Sequence, residues 1–197
     1  MKTLYTLSLL SLMVLAGCSS LAGDDEKDIQ TLNARYYNIE GVEYDCGDAP
    51  KGTTGSDGTF SFEEGEGCTF YVGSKELRKV SYRDLSDGAI LVETNDETMQ
   101  FLQTLDNDGN VDTGIKILSS VSDYLETQKQ IDDFLIPSFI SENVTINDAT
   151  MATLYGALAV AASGYDGEYA TSDEAREYIN RIVANLQQKQ IDFIELR

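Results

Sequence analysis

Thr59-Phe60-Ser61-Phe62-Glu63-Glu64-Gly65-Glu66-Gly67-Cys68-Thr69-Phe70-Tyr71-Val72 is the stretch that decides the fold. Successive side chains of a strand alternate, so Phe60 and Phe62 share one face, as do Cys68, Phe70 and Val72. Glu64-Gly65-Glu66-Gly67 between them is a turn signal. The stretch reads as part of a small antiparallel β unit with hairpins. Upstream lie two runs of the same kind, Tyr36-Tyr37-Asn38-Ile39 and Val42-Glu43-Tyr44, with Ser56-Asp57-Gly58 as a further turn. Eight of the 16 glycines fall between residues 41 and 73, the turn density of a small antiparallel β unit. Residues 89–93 offer a last strand, so the unit is assigned to residues 32–93.

Beyond it the hydrophobic period changes from two to that of a helix. Thr94-x-x-Glu97 is a capping box, followed by Met99, Phe101, Leu102 and Leu105. A second helix is expected over residues 120–135, ending before Pro137. A third starts at Asn147, with Met151, Leu154, Leu158 and Ala161 as its stripe and Gly164 as its stop. A fourth is capped by Ser172 and carries Ala175, Tyr178, Ile179, Ile182, Val183 and Leu186. Ile191-Asp192-Phe193-Ile194 reads either as its continuation or as a terminal strand. The expected class is α+β: a disulfide-braced antiparallel β unit, then a helical region over residues 94–197. One shared core is expected, because a 60-residue β unit alone is marginal.

The chain has 197 residues, 42% of them apolar, which is enough for a packed core. Against 14 Lys and Arg stand 34 Asp and Glu, a formal charge of −20. Such a surface repels nucleic acid. There is no His and no Trp, which removes His-based triads and His-ligated metals together. Residues 93–148 hold 12 acidic and 2 basic side chains. The basic cluster Lys75, Arg78, Lys79 and Arg83 precedes them and reads as an internal partner for that acidic half.

The N-terminus carries a targeting pattern. Lys2 is followed by an apolar run over residues 4–16, too short for the roughly 20 residues of a membrane span and suited to a secretory signal. Leu15-Ala16-Gly17-Cys18 resembles the lipobox of bacterial lipoproteins. That resemblance implies cleavage after residue 17, lipidation of Cys18 and a flexible tether over residues 18–31. With Ser19 after the cysteine, it also implies the outer membrane. Cys46 and Cys68 then remain as a pair. In an oxidising compartment they suit a disulfide; strand phase places each on an apolar face, though two buried thiols would fit the same pattern.

The strongest chemical signal is Asp106-Asn107-Asp108-Gly109-Asn110-Val111-Asp112-Thr113-Gly114. Side-chain oxygens recur at every second position, which suits a hard cation needing six to eight oxygen ligands. Asp106, Asp108, Asn110 and Asp112 are the candidate Ca²⁺ ligands. The loop departs from the EF-hand, with Val111 at its sixth position and Ile117 at its twelfth. The same residues are good turn formers, so a plain turn is the other reading. A second candidate loop is Tyr165-Asp166-Gly167-Glu168-Tyr169, whose aromatics suit a sugar or peptide and equally suit a capped connection.

Three blocks occur in order: Gly41-Val42-Glu43-Tyr44-Asp45-Cys46, then Gly58-Thr59-Phe60 with Thr69-Phe70-Tyr71-Val72-Gly73, then Leu102-Gln103-Thr104-Leu105-Asp106-Asn107-Asp108-Gly109-Asn110. Over residues 38–118 this resembles an uncharacterised module of Gram-negative secreted proteins and lipoproteins. The module brings no catalytic assignment. The expectation is a non-catalytic outer-envelope lipoprotein, a binding or structural module stabilised by calcium if the loop takes it. It would be anchored in the membrane by lipid and face an envelope protein or a glycan. A carboxylate-dependent hydrolase such as a glycosidase, or a soluble-ligand binder, is the alternative.

Overall fold

The computed structural model describes residues 30–130 and 146–197. The expected signal segment, Cys18 and most of the tether lie outside the described residues, as does the stretch that would carry the second helix to residue 135. The chain runs through β1 (Thr31–Tyr36), β2 (Ile39–Glu40), β3 (Glu43–Asp45), β4 (Gly52–Thr53), β5 (Thr59–Glu63), β6 (Cys68–Val72), β7 (Lys75–Val80) and β8 (Ile90–Glu93). It continues through α1 (Asp96–Thr104), β9 (Ile115–Lys116), α2 (Ser119–Gln130), α3 (Asp148–Ala161), α4 (Ser172–Gln188) and β10 (Ile194–Leu196). The class is α+β, as the change of hydrophobic period requires.

Two four-stranded sheets are present, in the orders β10-β8-β1-β5 and β4-β3-β6-β7. The two runs of the opening stretch do not pair with each other: β5 joins the first sheet beside β1 and β6 the second between β3 and β7, and the apolar side chains of both meet between the sheets. Phe60, Phe62, Cys68, Phe70 and Val72 are all buried. Phe70 meets Phe60 edge-on at 5.0 Å between centroids and tilts against Tyr36 at the same distance, geometry that suits aromatic quadrupoles. Cys46, directly after β3, and Cys68 of β6 form a disulfide. Gly58 adopts φ +79° in the turn before β5. A side chain there would overlap the Tyr36 carbonyl, so backbone and glycine are matched.

The first sheet is mixed rather than purely antiparallel. β1 pairs antiparallel with β5 but parallel with β8, and β8 pairs parallel with β10. The long connections between these strands permit parallel pairing, which a hairpin cannot. The terminal segment therefore becomes a strand, not an extension of α4. The small pair β2–β9 fastens the acidic loop's far end to the β unit, with Ile39 opposite Ile115. One hydrophobic cluster takes residues from both sheets and all four helices.

The helix ends differ from the sequence expectation by one residue. The cap of α1 is Asn95, whose side chain accepts from the Thr98 N–H at 2.9 Å; asparagine is the better capping residue, and the Thr94 hydroxyl donates to the Leu196 carbonyl instead. The cap of α4 is Thr171, in a capping box with Glu174. α3 is capped by Asn147 as expected, but Ala161 faces outward and Ala162 is the buried residue. Among the described residues no helix is long and apolar enough to cross a membrane.

Candidate functional site

The acidic loop leaves the C-terminal end of α1 and does not gather its side chains at one point. Asp106 turns inward and is fully buried. Its Oδ1 accepts from the Lys116 N–H at 2.7 Å, and the Asn107 N–H donates to the Lys116 carbonyl at 2.8 Å. Asp108 Oδ1 accepts from the Asn110 N–H at 2.9 Å, and Asn110 Oδ1 from the Asp112 N–H at 3.2 Å. These are side-chain turns closing the loop on itself. Asp112 points the other way and pairs with Arg181 of α4 at 2.8 Å. Among the described residues no three acidic or cysteine side chains are grouped to hold a metal ion. The four proposed calcium ligands are thus spread over three tasks: a buried anchor, two turn closures and an ion pair.

Burial pushes the Asp106 carboxyl up to about 6. The Lys116 N–H opposes that shift, and the nearby Asp108 adds to it.

The second candidate loop lies against the first. The Asp166 N–H donates to the Asn107 carbonyl at 2.9 Å. Tyr165 donates its hydroxyl to the Thr104 carbonyl at 2.5 Å. Gly167 sits directly over the Asp106 carbonyl, where any side chain would overlap it. The Ala170 N–H donates to Thr104 Oγ1 at 3.1 Å, and Gln100 Nε2 donates to the Ala170 carbonyl at 3.0 Å. The two loops are therefore held together by a backbone bond between them, and the second loop is tied to the end of α1 by side-chain–backbone bonds.

Between these loops and the first turns of α4 opens a cleft of about 240 Å³. Gln103, Glu168, Tyr169, Glu177, Tyr178 and Arg181 are among the residues that line it. Arg181 stacks over the Tyr178 ring at 5.4 Å while holding Asp112. Tyr169 stands 43% exposed at its edge, near Tyr155 at 6.4 Å. Glu174, also in the lining, accepts from the Thr171 N–H at 2.8 Å and is committed to the helix cap.

Four buried side-chain polar atoms among the described residues have no hydrogen-bond partner, and all belong to this region: Gln103 Nε2, Asp106 Oδ2, Asn107 Oδ1 and the Tyr178 hydroxyl. Buried polar groups are nearly always paired, so such clustering asks for an explanation. Burial pushes the Tyr178 hydroxyl up to about 12; Asn38 and Arg181 lie close enough to lower it, but Asn38 is not in hydrogen-bonding geometry.

Of the two loops singled out in the sequence, Glu168 and Tyr169 of the second and Gly109 and Val111 of the first reach the cleft, and none of the four candidate calcium ligands does. Gln103, Tyr178 and Arg181 were not singled out as site residues. Tyr178 reads as part of an apolar helix stripe, and Gln103 as a polar position inside a helix; only the packing of α1 against α4 brings them together. The basic cluster divides. Arg78 pairs with Glu93 inside the fold, Lys79 with Glu76, and Arg83 stacks on Tyr82 at 5.7 Å. Comparison with protein-family models, with curated proteins and with solved structures finds no match for this chain.

Proposed function

We propose that this chain is a non-catalytic, lipid-anchored module of the bacterial outer envelope that binds a partner through the cleft between α4 and the two loops. The observation that carries the reading is one cleft walled by both loops and α4, where the half-exposed Tyr169 stands beside Glu168, Glu177 and Arg181. A concave site that combines an aromatic face with a few converging polar groups is where a partner ordinarily binds. The lipobox-like Leu15-Ala16-Gly17-Cys18 supports the anchor, and the Cys46–Cys68 disulfide suits an oxidising compartment.

Tritiated palmitate supplied to a Gram-negative host expressing the chain tests the anchor. Label should appear on the wild type in the outer-membrane fraction and disappear with Cys18→Ser. Unlabelled wild-type protein in the soluble fraction would end the anchored reading. A photo-cross-linking residue placed at position 169 tests the cleft, and should capture envelope material that the same residue at position 82 does not.

The hydrolytic alternative draws on the same cleft. Glycosidases need two carboxylates about 5–9.5 Å apart, and with Glu174 tied into the cap, Glu168 and Glu177 are the pair available. Turnover of aryl glycosides that is lost in Glu177→Gln would replace the binding reading.

A further inference from the structure

We infer that Asp108 is a site of spontaneous backbone modification: in the folded protein the Asp108-Gly109 step closes to a succinimide and reopens as isoaspartate, while the other Asp-Gly steps are protected. The reaction is intramolecular. The glycine nitrogen attacks the aspartate Cγ, a carboxyl oxygen leaves as water, and a five-membered imide forms. Water then adds to one of the two imide carbonyls. Addition at Cγ restores aspartate. Addition at the main-chain carbonyl breaks the original peptide bond and leaves the chain running through Cγ. One water is lost and one gained, with no change of oxidation state and no co-reactant. Glycine is the favoured successor because no Cβ crowds its nitrogen.

The chain has four such steps, at residues 57–58, 87–88, 108–109 and 166–167, and the fold treats them differently. The Gly58 N–H donates to the Gly55 carbonyl at 2.8 Å, so its nitrogen is committed. The Thr59 hydroxyl and N–H also hold the Asp57 carboxyl below its ordinary value, and it is the protonated acid that loses water. The Gly88 N–H donates to the Asn33 carbonyl at 2.7 Å, and Asp87 Oδ1 accepts from the Asn33 N–H at 3.1 Å. Gly167 is buried against the Asp106 carbonyl, and the Asp166 N–H is bonded to the Asn107 carbonyl. Asp108, by contrast, is exposed, and among the described residues the Gly109 N–H has no acceptor. The bond from the Asn110 N–H to Asp108 Oδ1, at 2.9 Å, folds the carboxylate back across the intervening Gly109 nitrogen. Asp57 makes the same kind of turn onto Thr59, so the state of the glycine N–H is what separates the two steps.

The position gives the change its consequence. An isoaspartyl link adds one carbon to the main chain and moves the free carboxylate onto Cα. The closure between Asp108 and Asn110 is then lost. Gly109 and Val111 line the cleft, and Gly109 lies close to Glu168 of the second loop, so the ageing of this one step falls on the cleft wall.

Incubation of the full chain, disulfide intact, at neutral pH and 37 °C in water enriched in oxygen-18 tests this. Each succinimide that reopens leaves a heavy oxygen at its step, and electron-transfer fragmentation of the peptides assigns both the label and the isoaspartyl link. Label at residues 108–109 should accumulate at least about tenfold faster than at each of the other three steps, which must first open locally. In guanidinium chloride the four steps should label at similar rates. Asp108→Glu, which would need a six-membered ring, should lose the label at this step; the residue is exposed, so circular dichroism should show an unchanged fold. The inference is overturned by equal or faster labelling at another Asp-Gly step of the folded chain, or by no label at residues 108–109. It is equally overturned if the preference persists in guanidinium chloride, which would make the neighbouring sequence and not the fold its cause.

Discussion

Arg78→Met tests the polar node that ties the two sheets to the C-terminal strand. The Glu93 side chain is 0% exposed and that of Arg78 is 14% exposed. The carboxylate accepts from the Tyr36 hydroxyl at 2.8 Å, from Arg78 Nε at 2.9 Å and Nη2 at 2.8 Å, and from the Asn95 N–H at 2.9 Å. Arg78 Nη1 also donates to the Arg197 carbonyl at 2.7 Å. Methionine keeps most of the apolar stem and removes the charge with its donors. Glu93 then stays in the core without a counter-charge, a situation that costs roughly 3–5 kcal/mol. For a chain of this size that corresponds to a Tm lower by roughly 6–20 °C. Adding Glu93→Gln removes the charge that needed Arg78 and should restore on the order of 1–3 kcal/mol. Urea and thermal unfolding followed by circular dichroism, with the disulfide intact, give both numbers. A cost for Arg78→Met within about 1 kcal/mol, as for an exposed pair, or no recovery in the double variant, would refute the reasoning.

Asp106→Asn mimics the neutral carboxyl, so its effect depends on pH. A folded value of about 6 against 3.8 means stability is full below about 3.8 and declines as pH rises through about 6. At pH 7.5 the asparagine variant should be more stable by up to ~3 kcal/mol, and at pH 4 it should match the parent; an unchanged difference across that range in thermal melts would contradict the burial of this group. Replacing both Cys46 and Cys68 by alanine opens a loop of sequence separation 22 and should cost roughly 3 kcal/mol, read as a lower urea midpoint. Millimolar CaCl₂ and MgCl₂ at equal ionic strength should shift Tm alike, because the loop side chains are engaged separately. A calcium-only rise that vanishes in Asp106→Ala plus Asp108→Ala would make the loop a cation site; ligand at 100 times its Kd stabilises by about 2.7 kcal/mol.

The sequence was informative wherever the deciding physics is local. Phe60, Phe62, Phe70 and Val72 announce their strands because alternation is a property of neighbouring residues. Ala175, Ile179, Ile182 and Leu186 announce α4 in the same way, at the helical period. Caps are a contest among adjacent candidates, and Asn95 and Thr171 win over Thr94 and Ser172 by position. What remained hidden is pairing at long range. Parallel contacts between β1 and β8 leave no mark in either strand, and Ile194 does not show which sheet receives it. The site was half legible for the same reason. Gly167 between two tyrosines marks a tight loop, but nothing at Gln103 says that α4 will cover it. The alternating oxygens of residues 106–112 are visible in sequence; which way each one points depends on Lys116 and Arg181, supplied from elsewhere.

The placement of β10 bears on when the protein can fold. Thr94 donates from its side chain to the Leu196 carbonyl across 102 residues, and β8 is flanked by a strand from each end of the described chain. Long-range pairing of this kind slows folding, since loop closure must precede any reward. The first sheet therefore cannot be completed while the last segment is still being synthesised. For a chain exported as proposed, the sheet is complete only once residues 194–196 stand in the same compartment as residues 31–36, the one in which the disulfide forms.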